Sequence, residues 1–252
     1  MIARRIAIHA VQAGLVFALL ALWWWITATG QVHPFVLPPP MAVLDRLGKL
    51  LASGTFWSPL SITMWEFGVS FVTATLLGLV FGFLISRRRL VVRTFDPLLA
   101  ALYSVPMVLL LPLFVLTFGV GVGSKIALGF VVAFFPVVLS TTTAFLTVDA
   151  SLQRAALSMG ASQSQLFVRV LLPASLPMVL SGMRIALITS LLSILGAETI
   201  ASLGGLGHEI FARVEYMQTA EMYAYLAITV IVAMMINGLA LWIDAWGRRK
   251  FS

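Results

Sequence analysis

Six apolar runs, each about 20 residues or longer, divide this chain, and each is long enough to cross a bilayer as a helix. They lie near 7–29, 60–85, 98–119, 124–147, 177–200 and 222–246. Inside lipid, every backbone polar group must be bonded within its own segment or barrel, so runs of this length point to an all-α membrane protein of six spans. Composition agrees: 61% of the 252 residues are hydrophobic and 10% are charged, too little polar surface to cover a globule in water. The net charge of +7 would suit nucleic acid, but the basic residues sit at the ends of apolar runs rather than on one face. The expected surroundings are therefore membrane lipid, with no nucleic acid. Arg4 and Arg5 precede the first run as they would in a signal peptide. That run continues to about Thr29, too long for a cleaved segment, and is read as the first span.

Basic residues set the orientation. With the N-terminus inside, Arg4, Arg5, Arg87, Arg88, Arg89, Arg93, Arg154, Arg169, Arg184, Arg248, Arg249 and Lys250 fall on the cytoplasmic side. Arg46, Lys49, Lys125 and Arg213 fall outside, a split of 12 against 4 that accounts for all 16. The positive-inside rule thus predicts cytoplasmic N- and C-termini. Residues 1–56 read as a first helix and outer loop, 57–246 as a helical core, and 247–252 as a cytoplasmic tail. Trp23, Trp24 and Trp25 form an aromatic belt, and Met41–Leu51 reads as an interfacial helix. Gly78-x-x-x-Gly82 permits a close helix approach, for packing within the chain or for a dimer contact. Pro106 and Pro112 fall within the third run and Pro136 within the fourth, which ends in Ser140, Thr141, Thr142 and Thr143.

The stretch 149–177 is the one polar insert long enough to fold by itself. Asp149 or Ser151 can cap a short helix with Leu152, Ala155, Ala156 and Met159 on its apolar side. Gly160 stands where a left-handed residue would end it, and Ser162 with Gln165 carries the spacing of a capping box for a second helix. Pro173 is expected to stop that helix, and Pro177 to open the next. The product is a helix–glycine–helix element at the cytoplasmic membrane surface, shaped to be held by a partner.

Arg154-Ala155-Ala156-x-x-x-Gly160-Ala161, followed by Leu172-Pro173, resembles the cytoplasmic loop of ABC-importer permeases, with Arg154 where that pattern has Glu. Thr63-x-x-Glu66, Gly78, Gly82, Tyr103-Ser104-Val105-Pro106, Pro112-Leu113 and Phe118-Gly119-x-Gly121-x-x-Ser124-Lys125 are similar to the same family. So are Phe134-Phe135-Pro136, Gly182-x-Arg184 and Gly204-Gly205-Leu206-Gly207, from about Leu37 to Trp242 in all. The branch resembled carries taurine, alkanesulfonates, nitrate and hydroxymethylpyrimidine-type precursors. The resemblance implies a type I importer permease fold in the bacterial inner membrane and a homodimeric pair of permeases. It also implies two ATPase subunits that hold ATP and magnesium, and a periplasmic solute-binding protein. Residues 149–173 would then be the coupling loop that docks on the ATPase, and the spans would move solute by alternating access.

Glu198, near the outer end of the fifth run, is the leading intramembrane acid. It either faces the translocation path or its gate, or sits at the interface and bonds the Gly204–Gly207 loop. Glu66 and Thr141 are further path candidates, with structural roles as the alternative. Arg184 is expected to snorkel to the headgroups. His9, His33 and His208 lack ligand spacing, and the absence of cysteine removes thiolate metal sites and thiol catalysis. The sequence holds no Gly-x-x-x-x-Gly-Lys-Ser/Thr phosphate cradle and no catalytic grouping, so ATP is expected on a partner chain. A self-contained secondary carrier is the alternative function. It would need paired charges or broken helices at the midplane.

Overall fold

In the computed structural model the backbone is described over residues 2–251 and side chains over 10–247. The side chains of Arg4, Arg5, His9, Arg248, Arg249 and Lys250 lie outside the described residues, as does most of the expected tail. All regular structure among the described residues is helical. The chain forms two compact units, Met1–Trp57 with Glu209–Thr229, and Ser58–His208 with Val230–Ser252.

The first unit holds α1 (Ile2–Ala28) and α2 (Pro40–Ser53). Pro40 takes the first turn of α2, where its missing N–H is one the helix does not use. Gly54, at φ +69°, closes the other end by donating to Leu50 O at 3.1 Å. Trp23 donates from Nε1 to Pro38 O at 3.0 Å, and its ring centroid is 6.2 Å from that of Tyr223. Arg213 pairs with Glu209 at 2.8 Å and with Glu221 at 2.9 Å.

The second unit begins with α3 (Trp57–Ser86) and α4 (Arg89–Tyr103), then a 3₁₀ turn (Met107–Leu110) and α5 (Leu111–Phe118). It continues through α6 (Val122–Leu146), α7 (Ala150–Ser158), α8 (Gln163–Leu166), a π-turn (Phe167–Leu171) and α9 (Leu172–Ile200). After α9 come α10 (Leu206–Glu215) and α11 (Thr219–Phe251), each of which runs from one unit's residues into the other's. Ala74, Ala133, Val137 and Ala186 form the centre where α3, α6 and α9 meet. Small residues set the spacing. A Cβ on Gly78 would stand 2.8 Å from Val137 Cβ, and one on Gly82 would stand 2.6 Å from Thr141 Cβ. The Gly78-x-x-x-Gly82 pair therefore packs α3 on α6 within the chain. Gly182 does the same for α9, since any Cβ there would overlap the Ser140 side chain. Polar cross-links follow the close approach: Ser190 donates to Gly129 O at 3.1 Å and Thr142 to Gly82 O at 3.2 Å.

Among the described residues five helices are long and apolar enough to span, and a sixth passes as a broken pair, Arg89–Tyr103 with Met107–Phe118, bent by 79°. The span expected near 98–119 is thus present as a broken pair rather than one continuous helix. Pro106 lacks the N–H that would continue α4, and the chain turns there. Pro112 sits in the first turn of α5, where it costs nothing. A second correction concerns Pro173. It does not stop a helix, because residues 163–200 run as one helical segment. The π-turn before it lets Leu172 N–H reach back five residues to Phe167 O, absorbing one residue and giving the proline ring room at the start of α9. Pro177 lies inside α9 rather than opening it. Phe167 anchors the turn against Phe83 and Phe145, with ring centroids 4.9 and 6.0 Å away.

Candidate functional site: the 149–173 element and the buried acids

The polar insert folds through local chemistry. The Asp149 carboxylate accepts from Ser151 N–H at 2.8 Å and caps α7. Ala161 N–H reaches Ala156 O at 3.1 Å and Gly160 N–H reaches Leu157 O at 3.0 Å, the paired bonds of a Schellman end. Gly160 sits at φ +80°, which a β-branched residue adopts only with strain. Ser162 and Gln165 close the capping box: Ser162 N–H donates to Gln165 Oε1 at 2.9 Å, and Gln165 N–H donates to Ser162 Oγ at 3.3 Å.

No α7 residue is buried. Leu152 is 50% exposed, and Met159 in the following cap is 88% exposed. Arg154 and Ala155 are exposed as well, with Ala156 half-buried. Ala156, Gly160, Ala161, Gln165 and Arg169 help line an open cavity of about 440 Å³. Leu172 is exposed and Pro173 half-buried at the start of α9. The element thus exposes apolar side chains beside an open concavity.

The hydrogen bonds of Ser151, backbone N–H first and then hydroxyl, hold the Asp149 carboxyl below the usual carboxylate range. A depressed value means the cap is fully present at neutral pH and is lost as pH falls through the folded-state value. Exchange protection over residues 150–153, taken relative to the intrinsic rate at each pH, should therefore fall on acidification, and Asp149→Asn should flatten that dependence. An unchanged acid response in the variant would assign it to another group.

Glu198, Glu66 and Thr141 are each about 1% exposed, and none lines any of the described cavities. Glu198 Oε1 accepts from the Thr63 hydroxyl at 2.7 Å, and Oε2 accepts from Gly207 N–H at 2.7 Å. The loop contact considered for it is therefore present, and Thr63 joins it from α3. Thr141 packs against Gly82, and its hydroxyl has no partner among the described residues. Arg184, expected at the headgroups, lines a small cavity with Phe71, Leu180 and Asp244. One concavity escaped the sequence reading. About 430 Å³ opens at the break between α4 and α5, between Tyr103–Val108 and the hydroxyls of Thr189 and Ser193 on α9. Pro106 marked the break, but nothing in the sequence joined it to positions 189 and 193.

Residues 74–252 match the model of a family described as the binding-protein-dependent transport system inner membrane component. The taurine transport system permease protein TauC of Escherichia coli (strain K12) is 32% identical over 232 residues, covering 90% of this chain and 84% of that protein. The formylaminopyrimidine transport permease protein ThiX of Halalkalibacterium halodurans is 30% identical over 200 residues, 79% of this chain and 80% of that protein. Among solved structures, a chain of the MetNI methionine ABC transporter in an inward-facing conformation superposes with a TM-score of 0.59 at 24% identity. The match covers 73% of this chain and 94% of that one, a likeness of fold.

Proposed function

Because the chain belongs to the binding-protein-dependent transport family, as a multi-pass inner-membrane permease subunit of an ABC importer, we propose that residues 149–173 are its docking element for the ATPase. The observation that carries this reading is the exposed apolar side of a loop whose two short helices are fixed by their own caps. Ala155, Ala156 and Ala161 keep the surface low, Gly160 sets the angle between the helices, and Arg154 supplies charge at the rim. Leu172 and Pro173 pass the displacement on, through one continuous helical segment, to the span that packs on α6. Two ATPase subunits bind ATP and magnesium and close on them. A second copy of this chain completes the path, and a solute-binding protein delivers cargo from the opposite side.

The solute is a small sulfonate, nitrate, pyrimidine precursor or aromatic acid, as similarity to the taurine and formylaminopyrimidine permeases suggests. The hydroxyl-bearing cavity at the α4–α5 break, with Tyr103, Ser104, Thr189 and Ser193, would form part of the path wall. Thermal stabilisation of the cognate binding protein against a panel of these solutes tests the substrate class. Stabilisation by an unrelated solute alone would overturn it.

The orientation that this assembly needs follows from the basic asymmetry of the loops. Cysteines placed at Ser53 and Gln218, in a chain that has none of its own, should label with an impermeant thiol reagent in intact cells. One at Ser162 should label only after lysis. Labelling at Ser162 in intact cells would invert the topology and remove the docking role.

A further inference from the structure

Among the described residues of the second unit, the ionisable side chains with no more than 1% exposure are Glu66 on α3, Lys125 on α6 and Glu198 on α9, at 1%, 0% and 1%. Their hydrogen bonding differs sharply. Glu198 has a donor on each oxygen, the Thr63 hydroxyl and Gly207 N–H, both at 2.7 Å. Lys125 turns its ammonium to the carbonyls of Val120 and Gly121. Neither oxygen of Glu66 meets a donor among the described residues, and Glu66 stands one turn along α3 from Thr63, the residue that bonds Glu198, which makes the two carboxyls neighbours. The charged groups acting on this pair are each other and Lys125.

Two carboxylates are acceptors only, so nothing joins them unless one carries a proton. Side by side in a dry interior they also repel strongly. Glu198 is the better anion, because its two existing donors favour the ionised form, while Glu66 has no donor to favour it. With the proton on Glu66, the charges of Glu198 and Lys125 cancel and the acceptor-only contact becomes a hydrogen bond.

We propose that Glu66 and Glu198 together bind one proton, which Glu66 donates to the Glu198 carboxylate, and that this proton latches the start of α10 onto α3 and α9. The latch is visible in the backbone it holds. Thr63 Oγ1 accepts from Leu206 N–H at 2.8 Å while Glu198 takes Gly207 N–H, so the two side chains satisfy the first two amides of α10. The loop comes against the carboxylate because it lacks side chains there. A Cβ on Gly205, at φ +107°, would run into the Glu198 carboxylate, and one on Gly207 would stand 2.8 Å from Glu198 Cβ. Glycine at 205 and 207 makes a cradle fitted to the Glu198 acid, and the protonated Glu66 is that acid's third donor. Removing the proton would set two like charges against each other beneath the cradle.

The test uses the full-length chain in lipid nanodiscs, and no readout requires transport. Infrared difference spectra between wild type and Glu66→Gln should contain the C=O stretch of one protonated carboxylic acid, present in wild type and missing from the variant. Exchange protection at the amides of Leu206 and Gly207 should survive Glu66→Gln, whose side-chain N–H makes the same donation. It should fall about tenfold or more in Glu66→Leu, which donates nothing. If Glu66→Leu does not fold, the spectrum and the Gln variant decide alone. A spectrum without the protonated-acid band, or equal protection in the Gln and Leu variants, would overturn the proposal.

Discussion

Gly160→Val is expected to abolish transport while every span still inserts. The position needs φ +80°, where a β-branched residue costs on the order of 1–2 kcal/mol, and the space around it is open, so the damage is to backbone angle rather than to packing. Breaking the Schellman end should swing α7 away from α8, so that the exposed face around Leu152 and Met159 no longer matches the partner proposed for it. Ala156→Gln should reach the same result by filling the 440 Å³ cavity from within, leaving the backbone alone. In both variants the ATPase subunit should be lost from pull-downs, and any remaining ATP hydrolysis should no longer respond to loaded binding protein. Normal recovery and normal stimulation in both would make 149–173 a simple connector.

The second large effect is one of packing. Gly182→Ala pushes a Cβ into the Ser140 side chain, and the backbone carbonyl of Pro136 stands 3.2 Å from the same atom, so α6 and α9 must separate. Overpacking of this kind costs about 1–3 kcal/mol, and Gly182→Val should cost more. A clear drop in thermal unfolding temperature is expected for either variant in detergent. Adding Ser140→Gly should return much of the Gly182→Ala loss, because it removes the atoms that clash. Strictly additive losses in that double-mutant cycle would mean that the two helices do not touch where described.

Much of the architecture was legible because its causes are local or periodic. Length and hydropathy marked the spans, and the caps of α7 and α8 could be read from Asp149, Gly160, Ser162 and Gln165, since each partner lies within about one or two turns. Pro106 was read as lying within a single span, and the 79° bend found there depends on what packs alongside. Pro173 was read as a stop because the rule for proline assumes an α-helix behind it, and a π-turn removes that assumption. The Glu198 arrangement was only half legible. Its bond to Gly207 spans nine residues, but Thr63 is 135 residues away with Glu66 on the same helix, and Lys125 comes from another helix again. No periodicity along the chain brings the side chains of three helices to one place.

The π-turn also sets a phase. Leu166 is buried on the docking side, and the next buried position is Ser175, from which Val179, Gly182 and Ala186 continue one stripe along α9. In an unbroken α-helix nine residues would put Leu166 about 180° from Ser175, whereas a turn that absorbs one residue leaves an offset of about 80°. The bearing of the proposed docking surface relative to the buried stripe that packs on α6 is thus fixed by a residue count between 167 and 171. Substitutions there are tolerable so long as the number stands. A single deletion would rotate one face against the other by about 100° without altering any residue that touches a partner.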